Sequence, residues 1–396
     1  MFENLKALPQ DSILQLMMMY RADDRSHKVD LGIGVYKDDA GNTPIMSAVD
    51  LAQKKLIETE TTKSYIGPAG SPLFNEKMRE LLLGADHPVL RDNRVTSAQT
   101  PGGCGALRIA AEFLVNCAPE TTVWVSDPTW ANHMPLLGDA GLKLATYPYY
   151  DFENKGIRFD AMMEQLELAQ AGDVVLLHGC CHNPSGADLN QEQWAAVADL
   201  VERKGLLPFV DIAYQGLGNG LEEDAAGLRL MASRVPEMII AASCSKNFGL
   251  YRERTGLLMV VSANAEQAAT TTSQLFNTIR AHYSMPPAHG ASVVETILSD
   301  QQLNENWLTE LAGMRNRISG LRGQLASEMN QRGHDFSFIT QEFGMFSFFG
   351  ITPEQVQQMR EEFAIYMIDS SRVNVAGLAD HNITYVADAL AKVLDK

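Results

Sequence analysis

The residues best suited to chemistry stand at the ends of short β-rich runs. In Ser243-Cys244-Ser245-Lys246-Asn247-Phe248-Gly249, a lysine lies just past an apolar run, among small polar residues. A loop lysine held in water fits this pattern. So does a Schiff-base lysine, whose amine must be neutral to attack an aldehyde and whose pKa is therefore lowered by burial or a cationic neighbour. Arg254 follows eight residues on and is such a neighbour. Its planar donor fork also suits phosphate.

Three further run ends carry complementary groups. Val210-Asp211-Ile212-Ala213-Tyr214 closes an apolar run on a carboxylate. A buried carboxylate is costly without a cation or donor. A helix cap or structural ion pair meets that need, and so does a protonated pyridine nitrogen, with Tyr214 donating to the ring's phenolic oxygen. In His178-Gly179-Cys180-Cys181-His182-Asn183-Pro184-Ser185-Gly186, Asn183 precedes a proline and is pushed toward an extended backbone. Its amide is then available to a ligand, although an ordinary Asn-Pro turn has the same sequence. Thr100-Pro101-Gly102-Gly103-Cys104-Gly105 opens a helical pattern. Glycines there expose backbone N–H groups where the helix dipole favours an anion. The stretch is neither a G-x-G-x-x-G fingerprint nor a P-loop, and a plain turn reads similarly. Taken together, the four ends suit a phosphate, an imine, a ring nitrogen and a ring oxygen.

These residues need a sheet to position them. Seven β-rich runs are expected as strands: Val95–Gln99, Thr122–Ser126, Lys143–Tyr147, Val174–His178, Leu206–Asp211, Met238–Ser243 and Gly256–Val261. Helical patterns separate several of them, including Gly103 to Asn116 and Asn190 to Lys204, the latter with Asn190 as N-cap. The alternation predicts an α/β class, with a seven-stranded mostly parallel sheet flanked by helices. Ligands of such sheets collect at the carboxyl ends of the strands. Beyond it, a long helix from about Leu303 to Gln331, strands at Phe336–Ile339, Phe346–Phe349 and Tyr366–Ile368, and helices at Pro353 to Phe363 and after Asp380 predict a smaller α+β domain. The expected division is an N-terminal arm and part of the small domain in 1–44, a large domain in 45–310, and the small C-terminal domain in 311–396, with a cleft between domains.

Composition excludes several classes. Of 396 residues 45% are hydrophobic and 20% charged, an ordinary globular mixture with material for a large core. The net charge of −17 is wrong for a nucleic-acid backbone. Five cysteines without zinc spacing are expected as reduced, mostly buried thiols, and no metal is expected. Met1 to Gln10 has no basic start followed by an apolar core, and no run approaches a membrane span. A cytoplasmic, non-membrane protein is expected.

Asn183-Pro184-Ser185-Gly186, Asp211 with Tyr214, and Ser243-Cys244-Ser245-Lys246 with Arg254 resemble the class I aminotransferases of the aspartate/aromatic subgroup. Ser64-Tyr65, Ser126-Asp127-Pro128-Thr129-Trp130 and Ser370-Ser371-Arg372-Val373-Asn374 fit in order, so the resemblance covers essentially the whole chain. It implies pyridoxal-phosphate (PLP) fold type I and a homodimer with shared active sites. Lys246 would be the Schiff-base lysine and the base for the proton shift. Asp211, backed by His133, would pair with the ring nitrogen. Tyr214 and Asn183 would bond the ring oxygen, and Trp130 would stack on the ring. Gly103, Cys104, Ser243, Ser245 and Arg254 would surround the phosphate, with Tyr65 from the other subunit. Arg372 would grip the substrate α-carboxylate, helped by Asn183 and the Gly34 backbone, and Arg280 of the neighbour would take a distal carboxylate.

Substrate choice is divided. Val35, Lys37 and Thr43 resemble aspartate-preferring members, whereas Tyr251-Arg252-Glu253-Arg254-Thr255-Gly256 is closer to broad-range aromatic ones. Cys104 and Met285 replace a more usual small hydroxyl and an Asn or Ser. The expectation is transamination of aspartate and of aromatic amino acids with 2-oxoglutarate, by ping-pong kinetics. The alternatives are a strict aspartate aminotransferase, another PLP reaction, which Arg280 argues against, and a non-catalytic PLP-binding regulator, which the acidic charge argues against.

Overall fold

The computed structural model describes residues 2–8 and 11–395. Met1, Pro9 and Gln10, and with them part of the stretch read for a leader, lie outside the described residues, as does Lys396. The chain divides into two compact units. The larger comprises Pro44–Asn316 and Glu342–Gly344; the smaller comprises Met1–Thr43, Arg317–Gln341 and Met345–Lys396.

Seven strands form the sheet of the larger unit: β1 (Val95–Pro101), β2 (Thr122–Asp127), β3 (Lys143–Pro148), β4 (Val174–His178), β5 (Leu207–Ile212), β6 (Met238–Ser243) and β7 (Thr255–Val261). All seven expected strands are present, with ends shifted by no more than a residue or two. Their order is β1-β7-β6-β5-β4-β2-β3. β7 is antiparallel to β1 and β6, and every other pairing is parallel. β1 to β6 therefore point the same way, and their carboxyl ends share one edge. β6 and β7 are buried at every position, which is why both read as unbroken apolar or small runs rather than alternating ones.

Helices cover the sheet. α1 (Gly102–Cys117) follows β1 directly and buries Ala106, Leu107, Ala110 and Leu114 in a core shared with Val125, Leu176, Phe209 and Ala241. α2 (Gln191–Lys204) begins in a capping box: the Asn190 side chain accepts from the Gln193 N–H, and the Gln193 side chain accepts from the Asn190 N–H, both at 2.9 Å. It ends at Gly205 in the left-handed region. α3 (Leu221–Arg234) carries the buried Asp224, whose carboxylate accepts the backbone N–H groups of Gly216, Gly218 and Asn219 at 2.8–2.9 Å. Those donors satisfy the buried charge and pin the loop that follows β5.

In the helix Gln301–Gln331, Trp307 stacks on Phe248 at 4.4 Å and donates its indole N–H to the Asn247 carbonyl at 2.7 Å. This fixes the turn just past Lys246.

The smaller unit is α+β. Val29–Asp30 pairs in parallel with Ile365–Tyr366, and Phe346–Phe348 pairs antiparallel with Arg372–Asn374. Helices Pro353–Phe363 and Ile383–Leu394 accompany them. One expected strand is absent: 336–339 falls instead in a 3₁₀ turn, Ser337–Gln341. There the Asp335 carboxylate accepts the Ser337 N–H at 2.9 Å and the Phe336 carbonyl accepts the Ile339 N–H at 3.2 Å. Local hydrogen bonds of this kind compete with strand pairing. The strand expected at 366–368 is Ile365–Tyr366. No helix among the described residues is long and apolar enough to cross a membrane.

Candidate active site

Lys246 lies in the turn that leaves β6. The turn is tied by the Cys244 N–H to the Thr255 carbonyl (3.0 Å), the Ser245 N–H to Ser243 Oγ (3.2 Å) and the Gly249 N–H to the Lys246 carbonyl (3.1 Å). The Lys246 ammonium nitrogen stands 4.8 Å from the centre of the Tyr214 ring. Burial lowers the pKa of this amine, and Arg254 adds to the shift; Asp211 and Cys104 oppose it.

β5 delivers Asp211, in register with His178 on β4. The Asp211 carboxylate is bonded to Nε2 of His133 at 3.0 Å, and Nδ1 of His133 meets the Thr129 hydroxyl at 2.7 Å. His133 is fully buried, with both ring nitrogens engaged, and it in turn holds Asp211 in place. Burial pushes the Asp211 carboxyl up, but the His133 hydrogen bond and the nearby His133, His178 and Lys246 outweigh burial and hold it below the usual carboxylate range. An ionised carboxylate and an amine whose pKa is lowered by burial therefore face one space.

The anion end is built at the start of α1. Gly102 has φ +69, and a Cβ there would come within 2.6 Å of Arg254 Nη2. A Cβ on Gly256 of β7 would come within 2.4 Å of the Gly102 carbonyl carbon. The two glycines thus let the helix start, the strand and the guanidinium close on one another. Arg254 itself has a positive φ of 52, uncommon outside glycine, and its Nη1 donates to the Tyr251 carbonyl at 3.0 Å. A helix N-terminus beside a forked cation, with the hydroxyls of Ser243 and Ser245 close by, is suited to a phosphate.

These groups meet in one cavity of about 160 Å³. Gly103, Cys104, Trp130, Asn183, Asp211, Tyr214, Ser243, Ser245, Lys246 and Arg254 all line it. Asn183 presents a buried Oδ1 with no hydrogen-bond partner. Trp130 meets the His133 ring edge-on at 5.3 Å. Tyr65 and Arg280, read as contributions from another subunit, are exposed and do not line it; Arg280 donates to the Ser284 hydroxyl. Gly34 and Arg372 belong to the smaller unit. There Arg372 is buried, donates to the Gly32 carbonyl at 2.8 Å and lies 4.5 Å from the Phe346 ring, while Asn374 fixes the strand by donating to the carbonyls of Ile33 and Val35.

The family whose pattern fits residues 26–390 is described as aminotransferase class I and II. The chain belongs to this family. It is 50% identical to an aspartate aminotransferase of Salmonella typhi over the full length of both chains. It is 49% identical to an aromatic-amino-acid aminotransferase of Paracoccus denitrificans, over 99% of this chain and 100% of that one. Among solved structures, an aromatic-amino-acid aminotransferase from Burkholderia pseudomallei, covalently bound to pyridoxal phosphate, superposes with a TM-score of 0.98 at 42% identity, covering 100% of this chain and 99% of that one.

Two residues beside these groups, His178 in the cavity wall and Asn132 behind Cys104, were not singled out from the sequence. Asn132 donates its amide to Cys104 Sγ at 3.9 Å. His178 lies 5.2 Å from the His133 ring and 4.1 Å from that of His182, and neither of its buried nitrogens has a hydrogen-bond partner. A histidine closing the apolar run of β4 was the available signal. Burial pushes the His178 pKa down to about 3, with His133 adding to the shift. Between about pH 3 and its unfolded value near 6.5 the unfolded chain binds the proton and the folded chain does not. Folding stability should therefore fall as pH drops through this window. His178→Phe should flatten that limb, by about 1–2 kcal/mol at pH 5 in denaturant titrations relative to pH 7.5. Equal pH slopes in the two proteins would refute this.

Proposed function

We propose that this aminotransferase depends on pyridoxal phosphate and exchanges amino groups between 2-oxoglutarate and both aspartate and aromatic amino acids. The observation that carries the cofactor reading is the buried Lys246 amine sharing one cavity with the Asp211–His133 pair. The rest of the cavity suits the same group. A buried carboxylate with one oxygen on a histidine can pair with a protonated ring nitrogen, the Asn183 amide N–H and the Tyr214 hydroxyl can donate to a phenolic oxygen, and the start of α1 with Arg254 can hold the phosphate.

When bound, the cofactor supplies an aldehyde that takes up the amino group and a ring that accepts electrons from the substrate α-carbon. Lys246 would then be its covalent anchor. Once freed, the Lys246 amine would be the base for the α-proton, and burial lowers its pKa in the direction that favours the neutral form. Asp211, ionised, would keep a proton on the ring nitrogen, with His133 and Thr129 fixing its orientation. Tyr214 and Asn183 would bond the ring oxygen, and Trp130 would cover the ring. Gly103, Cys104, Ser243, Ser245 and Arg254 would hold the phosphate. Arg372, with Asn183 and the Gly34 backbone, would take the α-carboxylate. Both half-reactions use one site, so the kinetics are ping-pong. We place the enzyme in the cytoplasm as a homodimer in which Tyr65 and Arg280 of one subunit complete the site of the other.

Two observations support dual specificity. Identity is equal, within one per cent, to relatives named for aspartate and for aromatic substrates. Arg280 is held by a hydroxyl and forms no ion pair among the described residues, so it can either clamp a distal carboxylate or swing away from a ring. The test is kcat/KM for L-aspartate and L-phenylalanine, each with 2-oxoglutarate, on one preparation. Values within about tenfold, or roughly 1.4 kcal/mol of transition-state binding, are expected. A preference for aspartate of about a thousandfold would make it a strict aspartate enzyme instead.

A further inference from the structure

We propose that Asp224 is a positioning residue for amino transfer: it holds the loop that carries Tyr214 and so aims the Tyr214 hydroxyl at the ring oxygen of the cofactor. This rests on the reading of Tyr214 as a donor to that oxygen. Asp224 stands in the first turn of α3, is 6% exposed and does not line the cavity. Backbone N–H groups, rather than a cation, satisfy its carboxylate.

The loop between β5 and α3 opens with Ala213 and Tyr214, which line the cavity. The Tyr214 carbonyl accepts the Leu217 N–H at 2.9 Å, so the first turn of the loop starts on Tyr214 itself. Asp224 Oδ2 accepts the N–H of Gly216 at 2.8 Å and of Gly218 at 2.9 Å, and Oδ1 accepts those of Asn219 at 2.8 Å and Gly220 at 3.4 Å. One carboxylate thus gathers four N–H groups of the loop, the nearest of them two residues from Tyr214. A Cβ on Gly218 would come within 2.6 Å of Asp224 Oδ1, an approach that glycine permits. Gln215 anchors the same turn by donating Nε2 to the carbonyls of Leu81 and Leu221 at 3.0 Å, and Arg315 donates to the Gly216 carbonyl at 3.2 Å.

A helix start needs no buried charge, since serine or asparagine caps it as well. What the carboxylate adds is grip, because an N–H bond to an ionised acceptor is roughly twice as strong as a neutral one. At the other end of the turn, direction matters. Tyr214 is buried, and the Lys246 nitrogen stands 4.8 Å from its ring centre. A hydroxyl donating to the ring oxygen stabilises negative charge there and weakens that oxygen's hold on the proton it shares with the Lys246 nitrogen. A misdirected hydroxyl gives up that bond, and the shared proton then leaves only at higher pH. Asp211, Cys104 and Arg254, the other groups that bear on Lys246, are untouched by the variants below.

The experiment is a double-mutant cycle on the holoenzyme, read by the pH midpoint at which the absorbance of bound PLP changes. Tyr214→Phe should raise that midpoint by about one pH unit or more. Asp224→Asn, whose amide nitrogen cannot accept an N–H, should raise it by about half a pH unit. Gly218→Ala presses on the same carboxylate and should act alike, which keeps the test open if Asp224→Asn folds poorly. In the Tyr214→Phe background neither change should move the midpoint further. Met231→Val, a buried change one helix face further along α3, should lower the melting temperature and leave the midpoint where it was. An unmoved midpoint in Gly218→Ala and in folded Asp224→Asn, a shift that persists in the Tyr214→Phe background, or an equal shift in Met231→Val would each overturn the proposal. An unmoved midpoint in Tyr214→Phe would instead overturn the reading of Tyr214, and a parent protein that takes up no PLP would overturn the cofactor reading.

Discussion

Lys246→Ala should abolish transamination, with kcat reduced by at least about 10⁴-fold. Loss of a positioned general base alone accounts for roughly 10²–10⁴. The same substitution removes the nucleophile that anchors the cofactor, so the two losses compound. Lys246→Arg should be equally inactive despite keeping the positive charge. Guanidinium does not give up its proton in proteins and cannot act as the base. The pair of variants therefore separates a need for a neutral amine from a need for a cation. Folding should survive both changes. The turn that carries Lys246 is held by backbone hydrogen bonds and by the Trp307 indole, not by the lysine side chain. The melting temperature of Lys246→Ala should match or exceed that of the parent, because an amine whose pKa is lowered by burial contributes nothing to stability in its charged form. Adding small primary amines should restore part of the turnover of Lys246→Ala and none to Lys246→Arg, whose side chain still fills the space. If either variant keeps more than about one per cent of kcat, Lys246 is not the base.

The site was legible where chemistry stands at the end of a strong strand. β4, β5 and β6 are apolar runs that close on His178, Asp211 and Ser243, and α/β sheets gather ligands at such ends. The reading of Asn190 as a cap held because its partner Gln193 lies within the same turn. What escaped depends on contacts distant in sequence. Asn132 reaches Cys104 across 28 residues, and the Asp211–His133 bond, 78 residues apart, was reached through family resemblance and not from spacing. His178 matters through its lack of partners, which no local pattern encodes. The reversed direction of β7 was also invisible, since a strand buried on both faces has the same apolar run whichever way it points. The 3₁₀ turn at Ser337–Gln341 was misread because its aromatic and β-branched residues resemble a strand, while Asp335 captured the backbone locally.

Asp211→Ala should lower kcat by about 10²–10⁴-fold, since removing one partner of a buried charge pair costs roughly 3–5 kcal/mol and each 1.4 kcal/mol is a factor of ten. The carboxylate is 8% exposed, bonded to a buried histidine and kept ionised against the pull of burial. Nothing else among the cavity residues can replace it, since no other carboxylate lines the cavity. Three replacements distinguish charge from shape. Asp211→Asn keeps the volume and loses the charge, so it should resemble Asp211→Ala in kcat. Asp211→Glu keeps the charge one methylene out of place and should retain the most activity. The fall should appear mainly in kcat, because in the proposed mechanism the substrate carboxylates are gripped by Arg372 and Arg280 and not by Asp211. A rise in KM alone would place Asp211 in substrate binding instead. His133→Asn, which removes the group behind the carboxylate, should cost less than any of these, because the charge remains while its orientation is relaxed. Should Asp211→Asn stay within tenfold of the parent, the ring nitrogen would not need an ionised partner and the proton on it would have to be held by another group.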